Sequence, residues 1–457
     1  MASVHDLIDH LTRPGTIPAG ELRDALGVSP ATLSRLVAAA GEAVVRLGRA
    51  RAVEYARTRE IEGVGREAPV FRVGEDGSPR RIGRLVFLWD GATWFERGSG
   101  GRRFVGLPPA FADMAPQGYL GSGFSARFPE LRLPARIASW SDDHRLRALA
   151  LRGEDTVGDL LVGSESLARF LAGSQREVEP ASFPGLAQRS ALDASGSSAG
   201  GERPKFGALS GGRHVLVKFA PPDDAPVARR WRDLLWCECR ALRLVREAGF
   251  AAAAEAALRD VEGWRFLETD RFDRVGLRGR RSVLTLEAIA NEYLGDRESW
   301  TAAARRLERS RAVDDCPFTL PAPEAARLCW LDAFGQLIGN TDRHFGNVSF
   351  FVSDDGELRL TEAYDVLPMV LAPAAETLVE RPFHPAPPVA DALDEWRSAA
   401  PWAVRYWREL SAEPSLHEAV RERARGAADA VERLARVVMP SEWDRAYAVA
   451  RRPGTPS

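Results

Sequence analysis

The spacing of hydrophobic residues near the N-terminus predicts two helices followed by a pair of strands. Apolar residues recur at helical spacing in residues 20–26 and again in residues 31–37. Ser29 stands where the second helix needs an N-cap, immediately before a proline suited to the first helical position. Residues 43–55 then alternate as two strands joined by a glycine turn. This order predicts a winged helix-turn-helix over residues 1–62.

Further along the chain, strand patterns give way to helical ones. Residues 68–175 alternate short strand patterns with turns and end in two short predicted helices, Thr156–Leu161 and Ser164–Leu171. Three clear elements come next: strands at Phe206–Leu209 and Val215–Phe219 and a helix at Val227–Ala248. After residue 280 the pattern is mostly helical, so the whole chain is predicted to be α+β.

Composition indicates where the protein works. Hydrophobic residues make up 45% of the chain and charged residues 28%, an ordinary balance for a globular protein. No apolar run approaches the roughly 20 residues that span a bilayer. The first residues lack the basic-then-apolar order of a secretory signal, and four cysteines without regular spacing favour a reducing compartment. We therefore expect a cytoplasmic protein that does not enter a membrane.

The formal net charge of -2 means that any contact with nucleic acid must rest on a local basic patch. Such a patch occurs between residues 31 and 59, where six arginines stand against two glutamates. The predicted recognition helix and wing supply the candidate DNA-binding residues Ser34, Arg35, Arg46, Arg49 and Arg51. The alternative is a small interaction domain with a solvated basic face. Winged helices commonly bind palindromic DNA as dimers, so a homodimer is a further expectation.

Lysine is almost absent from the sequence. Of 62 lysine and arginine residues, only Lys205 and Lys218 are lysines, and the three asparagines are Asn291, Asn340 and Asn347. If arginine has replaced lysine wherever any cation serves, the two remaining lysines mark positions that need a compact ammonium. Chance survival is the alternative.

The strongest chemical signal is the segment 339–347. Asp342, His344 and Asn347 bring a carboxylate, an imidazole and a carboxamide within six residues, and Asp365 follows a strand-like segment. Phosphoryl transfer needs one carboxylate to orient and deprotonate the attacking hydroxyl, and oxygen ligands for Mg²⁺. Asp342 and His344 are thus candidate catalytic residues, and Asn347 and Asp365 candidate metal ligands. The alternative is a polar turn whose Asp and Asn residues cap neighbouring elements.

A second chemical signal lies upstream. Lys218 stands in an otherwise apolar strand, where a buried cation needs a partner, and Glu238 lies in an amphipathic helix 20 residues later. Kinases use a strand lysine and a helix glutamate to hold the α- and β-phosphates of ATP. The glycine- and serine-rich loop 195–201 offers backbone amides that could cover phosphates, although such a loop alone is more often a linker. The candidate cofactor-binding residues are Lys218, Glu238, Ser198, Gly200, Gly201 and Lys205.

In this order, residues 68–440 resemble the HipA-like toxin kinases of bacterial toxin–antitoxin systems. The family motifs N-x-D-x-H-x-x-N, A-Y-D, S-x-x-G…K and R-F-D-R are matched by Asn340–Asn347, Ala363–Asp365, Ser198–Lys205 and Arg271–Arg274. The resemblance implies a divergent protein-kinase-like fold with a mixed N-lobe and a helical C-lobe. With the winged helix-turn-helix predicted at 1–62, it gives three further segments: a HipA-like N-terminal subdomain at 63–175, an ATP-binding region at 176–278 and a catalytic C-lobe at 279–450.

The same resemblance implies roles for single residues and an activity. By this likeness Asp342 is the catalytic base, Asn347 and Asp365 hold Mg²⁺, Lys218 contacts ATP, and Ser198 is an autophosphorylation candidate. The implied protein is a serine/threonine kinase that uses ATP and Mg²⁺ to phosphorylate a cellular protein. An antitoxin partner on a separate chain is a family expectation too, although here the predicted DNA-binding head is fused in cis.

Two other functions fit the residues. The Asp, His and Asn cluster with a divalent ion suits hydrolysis of a DNA phosphodiester, which needs neither Lys218 nor Glu238. A transcription regulator whose kinase-like body senses nucleotide is the other alternative. The loop also departs from the family, because it reads Glu202-Arg-Pro-Lys205 where glutamine usually precedes the lysine.

Overall fold

The computed structural model describes residues 2–48, 53–98, 100–173, 176–194, 203–295, 297–310, 316–375 and 377–451. The chain forms two compact units, the first comprising residues 1–117, 124–174 and 278–280 and the second residues 118–123, 175–277 and 281–457. Both units combine helices with antiparallel strands, which confirms the predicted α+β class. The finer division into four segments stays a prediction. No helix in the described part of the chain is long and apolar enough to cross a membrane.

The α-helices are α1 (Val4–His10), α2 (Ala19–Leu26), α3 (Pro30–Ala40), α4 (Pro109–Met114), α5 (Gly118–Ser122), α6 (Phe124–Arg127), α7 (Asp142–Arg152), α8 (Ser164–Ala172), α9 (Phe183–Ala194), α10 (Pro226–Ala248), α11 (Leu286–Ile289), α12 (Trp300–Arg309), α13 (Ala322–Leu337), α14 (Leu393–Ala412), α15 (Glu418–Val438) and α16 (Trp443–Ala450). The strands are β1 (Ile17–Pro18), β2 (Val44–Leu47), β3 (Glu54–Arg57), β4 (Glu67–Val73), β5 (Pro79–Phe87), β6 (Thr93–Arg97), β7 (Gly100–Phe104), β8 (Leu160–Val162), β9 (Lys205–Ser210), β10 (Arg213–Ala220), β11 (Ala256–Val261), β12 (Trp264–Asp270), β13 (Arg274–Val275), β14 (Gly279–Arg280), β15 (Val283–Thr285), β16 (Ser349–Val352) and β17 (Leu358–Leu360).

The first part of unit 1 packs α1, α2 and α3 against a three-stranded sheet in the order β1-β3-β2. Helix α2 ends at Gly27, whose φ of 63° is a left-handed conformation that glycine adopts at little cost. Helix α3 starts as predicted, since the Ser29 hydroxyl accepts a hydrogen bond from the Thr32 amide at 3.2 Å. Leu22 and Leu33 are buried between these elements. The two helices expected from the hydrophobic spacing are therefore present.

The rest of unit 1 is built on a five-stranded antiparallel sheet in the order β7-β6-β5-β4-β8, with α7 packed on it. The predicted helix Ser164–Leu171 is confirmed as α8. The predicted helix Thr156–Leu161 is wrong, because its end forms β8 and pairs with β4. Gly158, with φ of 80°, breaks the helical pattern, and pairing in the sheet buries Leu161 completely. Tertiary pairing thus decides the structure of this short apolar run.

A small apolar cluster joins the two parts of unit 1. It consists of the buried residues Leu47, Ala56, Val86, Leu88 and Ala92. Leu47 and Ala56 lie on β2 and β3, Val86 lies on β5, Leu88 directly follows β5, and Ala92 directly precedes β6. Polar contacts surround the cluster: the Gly15 amide donates to Asp90 at 2.7 Å, and Arg59 donates to Asp143 at 2.8 Å. The N-terminal sheet therefore shares a core with the five-stranded sheet.

Unit 2 contains a four-stranded antiparallel sheet in the order β11-β12-β10-β9. Alternation along β10 sends Val215, Val217 and Phe219 into a core with Phe183 of α9. Lys218 therefore faces the opposite side of the sheet, where α10 packs. The predicted strands and the predicted helix at 227–248 are confirmed as β9, β10 and α10.

The remainder of unit 2 is mainly helical. Helices α13, α14 and α15 pack side by side, and their core includes the fully buried Trp330, Trp396 and Trp407. A small sheet in the order β15-β16-β17 packs beside α13. The chain between α13 and β16 holds the segment 339–347, so a buried helix and a sheet strand fix both of its ends.

Candidate active site

The centre of the candidate site is a buried cation with two anionic partners. The Lys218 ammonium on β10 donates hydrogen bonds to a carboxylate oxygen of Glu238 on α10 and to one of Asp365. These partners lie 20 and 147 residues away in sequence. Only 4% of the Lys218 side chain and 2% of the Glu238 side chain are exposed. The fold thus brings together three residues that the sequence predicted separately.

Burial and charge act on this cluster in opposite directions. Burial alone would lower the pKa of Lys218, but the Asp365 and Glu238 carboxylates raise it above the ordinary value. Burial alone would raise the pKa of Asp365, but the Lys218 ammonium, together with Lys205, lowers it to about 2. Lys218 and Asp365 are consequently both charged at neutral pH. One Glu238 oxygen, Oε2, is buried without a hydrogen-bond partner among the described residues.

The backbone at Asp365 is held in an unusual conformation. Asp365 has a φ of 54°, which is rare for a residue with a side chain. The Asn340 side-chain amide donates to its carbonyl oxygen at 3.2 Å, and the Ala363 amide donates to the Ala252 carbonyl at 2.9 Å. Such strain persists where the surroundings determine the conformation, and it is common at functional sites.

The segment 339–347 is tied to this point. Asn340 also accepts a hydrogen bond from the Asp342 amide at 3.1 Å, and the Asn347 side chain donates to the Asp342 carbonyl at 2.8 Å. The His344 ring accepts from the Gly346 amide at 3.1 Å. His344 Nε2 lies 4.0 Å from a carboxylate oxygen of Asp342, and more than half of each side chain is exposed. A substrate can therefore reach both predicted catalytic groups.

The sequence analysis missed the residues that support this loop. Buried Asp332 on α13 accepts from the Thr301 hydroxyl at 2.8 Å and from the Arg343 guanidinium at 3.0 Å. Arg343 donates in turn to the Asn340 carbonyl. The signal was a carboxylate within the apolar helix α13, which has to find a partner when it is buried.

The Tyr364 hydroxyl ties the two predicted motifs together from another side. It donates to the Gly346 carbonyl at 2.9 Å and lies 2.7 Å from the Ser349 hydroxyl. Tyr364 immediately precedes Asp365. Two hydrogen bonds therefore join the A-Y-D segment to the 339–347 segment: one from the Tyr364 hydroxyl to Gly346 and one from the Asn340 side chain to Asp365. The tyrosine of this motif therefore has a positioning role.

The donor set suits a hard cation such as Mg²⁺. Asp365 supplies a carboxylate that is 26% exposed. The side-chain nitrogen of Asn347 donates to the Asp342 carbonyl, so the side-chain oxygen of Asn347 is left for a ligand. Within the described ranges, no three His, Cys, Asp or Glu side chains are grouped to hold a metal ion by themselves. Mg²⁺ usually takes one or two carboxylates together with substrate phosphates, which fits this set.

Other predicted residues fall in different places. Lys205 starts β9 directly opposite Lys218, whereas Ser198, Gly200 and Gly201 lie outside the described residues. In the N-terminal part, Ser34 and Arg35 are exposed on α3, and Arg46 is exposed on β2. The remaining DNA-binding candidates, Arg49 and Arg51, lie outside the described residues.

Two family models and one characterised relative match the sequence of this chain. Residues 64–171 match the middle domain of YjjJ-like toxins, and residues 197–439 match the HipA-like C-terminal domain. Toxin YjjJ of Escherichia coli (strain K12) is 34% identical over 435 residues, which cover 92% of this chain and 95% of that protein.

Two solved structures are also similar to the chain. One is the toxin HipA of Shewanella oneidensis MR-1 in a complex with HipB and operator DNA. The match covers 83% of this chain and 99% of the HipA chain, with a TM-score of 0.48 and 14% identity. The Helicobacter pylori proinflammatory kinase CtkA covers 55% of this chain and 93% of its own, with a TM-score of 0.36 and 16% identity. On the sequence matches, the chain belongs to the HipA-like toxin family and is a relative of toxin YjjJ.

Proposed function

We propose that the chain is a protein serine/threonine kinase that uses ATP and Mg²⁺. The observation that supports this most is the bonding of one buried lysine to Glu238 and Asp365. A strand lysine, a helix glutamate and an aspartate at a strained turn are the groups that kinases align on a nucleoside triphosphate. Membership of the HipA-like toxin family points in the same direction.

In the proposed reaction, each residue acts on a defined group. Lys218, oriented by Glu238, binds the α- and β-phosphates. Asp342 accepts the proton of a serine or threonine hydroxyl while the hydroxyl oxygen bonds to the γ-phosphorus. The bond between that phosphorus and the β-γ bridging oxygen breaks, and ADP leaves with the electron pair. His344 lies beside Asp342 on the open side of the site, where it contacts the incoming hydroxyl.

Asn347 and Asp365 would hold the metal. When Mg²⁺ is bound there, it neutralises charge on the phosphate oxygens. Asn340 and Tyr364 keep the two ligand-bearing segments bonded together. The nuclease alternative uses the same metal ligands but gives no role to the buried Lys218–Glu238 pair, whose burial costs desolvation energy.

The kinase proposal is tested with γ-labelled ATP and Mg²⁺. We expect label to transfer to protein with the wild type and to fall at least 100-fold with Asp342→Asn. Asp394→Asn, a charge removal at a fully solvated position on α14, is the matched control and should transfer label normally. Undiminished transfer by Asp342→Asn contradicts its role as base, and absence of label with the wild type on a cell lysate contradicts the kinase itself.

Phosphopeptide mapping of the same reaction tests Ser198 as an autophosphorylation site. This part of the proposal rests on the resemblance of Ser198–Lys205 to the family loop. Phosphate on the peptide that contains Ser198 is the expected result. Phosphate found only on other peptides, with Ser198→Ala labelled as strongly as the wild type, contradicts the assignment.

We further propose that residues 1–62 form a winged helix-turn-helix that binds DNA. Support comes from the α2–turn–α3 order, the adjoining three-stranded sheet, and the exposed Arg35 on α3 and Arg46 on β2. Arg35→Ala should weaken binding to the chain's own promoter DNA and lower the dependence of binding on salt by about one phosphate contact. Equal affinity and an equal salt slope would contradict this proposal. A cytoplasmic location, a homodimer, and an antitoxin partner belong to the same proposal.

A further inference from the structure

Three cations share one face of the β9–β10 pair. Lys205 and Lys218 are directly opposite each other in the antiparallel register, so their side chains leave the sheet on the same side. The pairing extends one step further, since the Phe219 amide donates to the Pro204 carbonyl at 3.1 Å. Alternation along the strand then places Arg203 on the face of Lys205, toward α10. Its contact with Trp231 of α10 agrees with this placement.

Lys218 is ion-paired with two carboxylates, whereas Arg203 has no anionic partner in the described part of the chain. The carbon of its guanidinium lies 2.9 Å from the centroid of the Trp231 ring, and its Nε is buried without a hydrogen-bond acceptor. Burial lowers the pKa of Arg203 to about 9, so the group still carries its charge at neutral pH. A buried guanidinium nitrogen without an acceptor costs free energy unless a ligand supplies the acceptor.

The position of Trp231 relates Arg203 to the candidate active site. Trp231 precedes Glu238 by seven residues, so both lie on the same face of α10, about 10 Å apart along the helix axis. Glu238 bonds Lys218, and Arg203 stacks on Trp231. The groove between the β9–β10 pair and α10 thus carries one cation, Lys218, beside Glu238 and a second cation, Arg203, beside Trp231.

The charges in this groove do not balance. Lys218 is paired with Glu238 and Asp365, and Lys205 lies directly opposite Lys218 in the strand register. Three cations therefore face two described carboxylates, which leaves one positive charge for an anion that extends along the groove. A chain of phosphates has this charge and this extended form.

We propose that Arg203 is a phosphate-binding residue of this chain and that Trp231 holds its guanidinium flat to receive a terminal phosphate of the nucleotide. The inference rests on the proposed kinase function and adds a group to it. The planar guanidinium binds two phosphate oxygens at once, which a lysine does not do. The family loop usually has glutamine before its lysine, so this cation is a particular property of the present sequence.

The test compares ligands that differ in their phosphates. Equilibrium binding of ATP, inorganic tripolyphosphate and adenosine is measured with the full-length wild type, Arg203→Gln and Arg203→Lys. Loss of charge-assisted hydrogen bonds should weaken binding of ATP and tripolyphosphate about tenfold in Arg203→Gln. Binding of adenosine should not change. Arg203→Lys, which keeps the charge but not the fork, should lie between the wild type and Arg203→Gln.

Arg229→Gln is the matched control. Like Arg203→Gln, it removes one positive charge, but at an exposed position on α10 where Arg229 Nε lies 3.7 Å from a carboxylate oxygen of Asp224. It should leave the affinities for all three ligands unchanged. Trp231→Phe keeps an aromatic face and should weaken ATP less than Arg203→Gln does. Thermal unfolding of each variant shows whether a lost affinity reflects a lost fold.

The outcomes separate this inference from the proposed function. If Arg203→Gln weakens ATP and adenosine equally, Arg203 only supports the fold and the inference is overturned. If the wild type transfers phosphate and Arg203→Gln binds ATP as tightly, the inference alone fails. If the wild type binds neither ATP nor tripolyphosphate, both the kinase proposal and this inference fail.

Discussion

Lys218 shows how much depends on a single buried charge. Its ammonium is almost fully enclosed and is ion-paired with Glu238 and Asp365 at the same time. Removing one member of a buried ion pair leaves the remaining charge without compensation, which typically costs more than the intact pair contributes. Lys218 therefore matters for the stability of unit 2 as well as for the proposed catalysis.

We expect Lys218→Met to lower the free energy of unfolding by about 3–5 kcal/mol. The double variant Lys218→Met/Glu238→Gln should recover part of this loss, because it removes one of the two stranded carboxylates, but it should not recover kinase activity. Urea unfolding of the purified variants measures both effects. Arg297→Met, which breaks the exposed pair with Glu287, is the control and should cost at most about 1 kcal/mol. Equal losses in the single and double variants would contradict this account.

Asp233 makes a second prediction at the scale of one residue. Its carboxylate on α10 is 2% exposed and accepts from the His417 ring at 2.8 Å. Burial raises the pKa of Asp233, against the lowering effects of His417 and Arg230. A raised pKa in the folded state favours the protonated form. Its stabilising contribution is therefore complete below the ordinary pKa of 3.8 and is lost as the pH rises through the raised value.

The stability of the wild type relative to Asp233→Asn should accordingly increase as the pH falls from 7 toward 4. Urea unfolding at several pH values measures the difference. Repeating the comparison in a His417→Gln background removes the hydrogen bond between the imidazole and Asp233, and the trend should remain. A difference that stays constant or decreases toward low pH would show that the hydrogen bond with His417 outweighs burial.

At the scale of residues, the sequence predicted the charged groups of the candidate site better than the residues that position them. Lys218 and Glu238 were found because a charged residue in an apolar strand needs a partner, and their contact in the structure agrees with that reasoning. Asp332 and Trp231 were missed. Asp332 is contacted by Thr301 of α12, and Trp231 is contacted by Arg203 from the segment before β9. Both contacts join residues far apart in sequence, so no local pattern predicts them.

At the scale of elements, the segment 339–347 is a loop made rigid by its neighbours. Asp332 on α13 holds Arg343 inside the loop and the first turn of α12 at Thr301. Asn340 and Tyr364 bond the loop to the segment that carries Asp365. The predicted catalytic groups, Asp342 and His344, thus project from an irregular backbone that is held by contacts with two helices.

We predict that Asp332→Asn lowers kcat by up to about 100-fold while the KM for ATP changes little, because the loop is displaced but Lys218 is not. Asparagine keeps the size of the side chain but presents an N–H group where acceptors are needed. Steady-state kinetics measure the split between kcat and KM. Asp332→Glu restores the charge and should recover part of kcat. If Asp332→Asn weakens ATP binding instead, Asp332 stabilises the whole of unit 2 and does not specifically position the 339–347 loop.

Element prediction succeeded where local pattern and burial agreed. Helix α10 combines a long amphipathic pattern with a Gly249 C-cap at φ of 72°, and it lies within one residue of the predicted bounds. The run at residues 156–161 failed because a few apolar residues suit a helix or a strand equally well. Its partner in the sheet, β4, is nearly ninety residues away in sequence and leaves no local signal.

At the scale of the molecule, the predicted DNA-binding head is continuous with the next sheet. Leu47 and Ala56 share a core with Val86, Leu88 and Ala92, and Arg57 stacks on Trp89 with 3.7 Å between the guanidinium carbon and the ring centroid. The sequence predicted a boundary near residue 62 from the change of pattern. It gave no sign of the shared core, because the contacting residues come from different β patterns.

We expect Leu47→Ala to destabilise unit 1 by about 2–5 kcal/mol, as is usual when a cavity opens in a core. The head and the five-stranded sheet should lose protection from amide hydrogen exchange together. Val437→Ala, at a position that is 78% exposed, is the control and should change stability by at most about 0.5 kcal/mol. Independent loss of protection in the head alone would show that it folds as a separate domain.

The two lysines also have a practical consequence for labelling the native protein. Lys218 is enclosed by carboxylates, so Lys205 is the side-chain amine most open to acylation by an active ester. A dye attached there would report directly on the groove between β9 and α10. Protection of Lys205 from the reagent by an added compound would then identify occupants of that groove in a screen that requires no enzymatic assay.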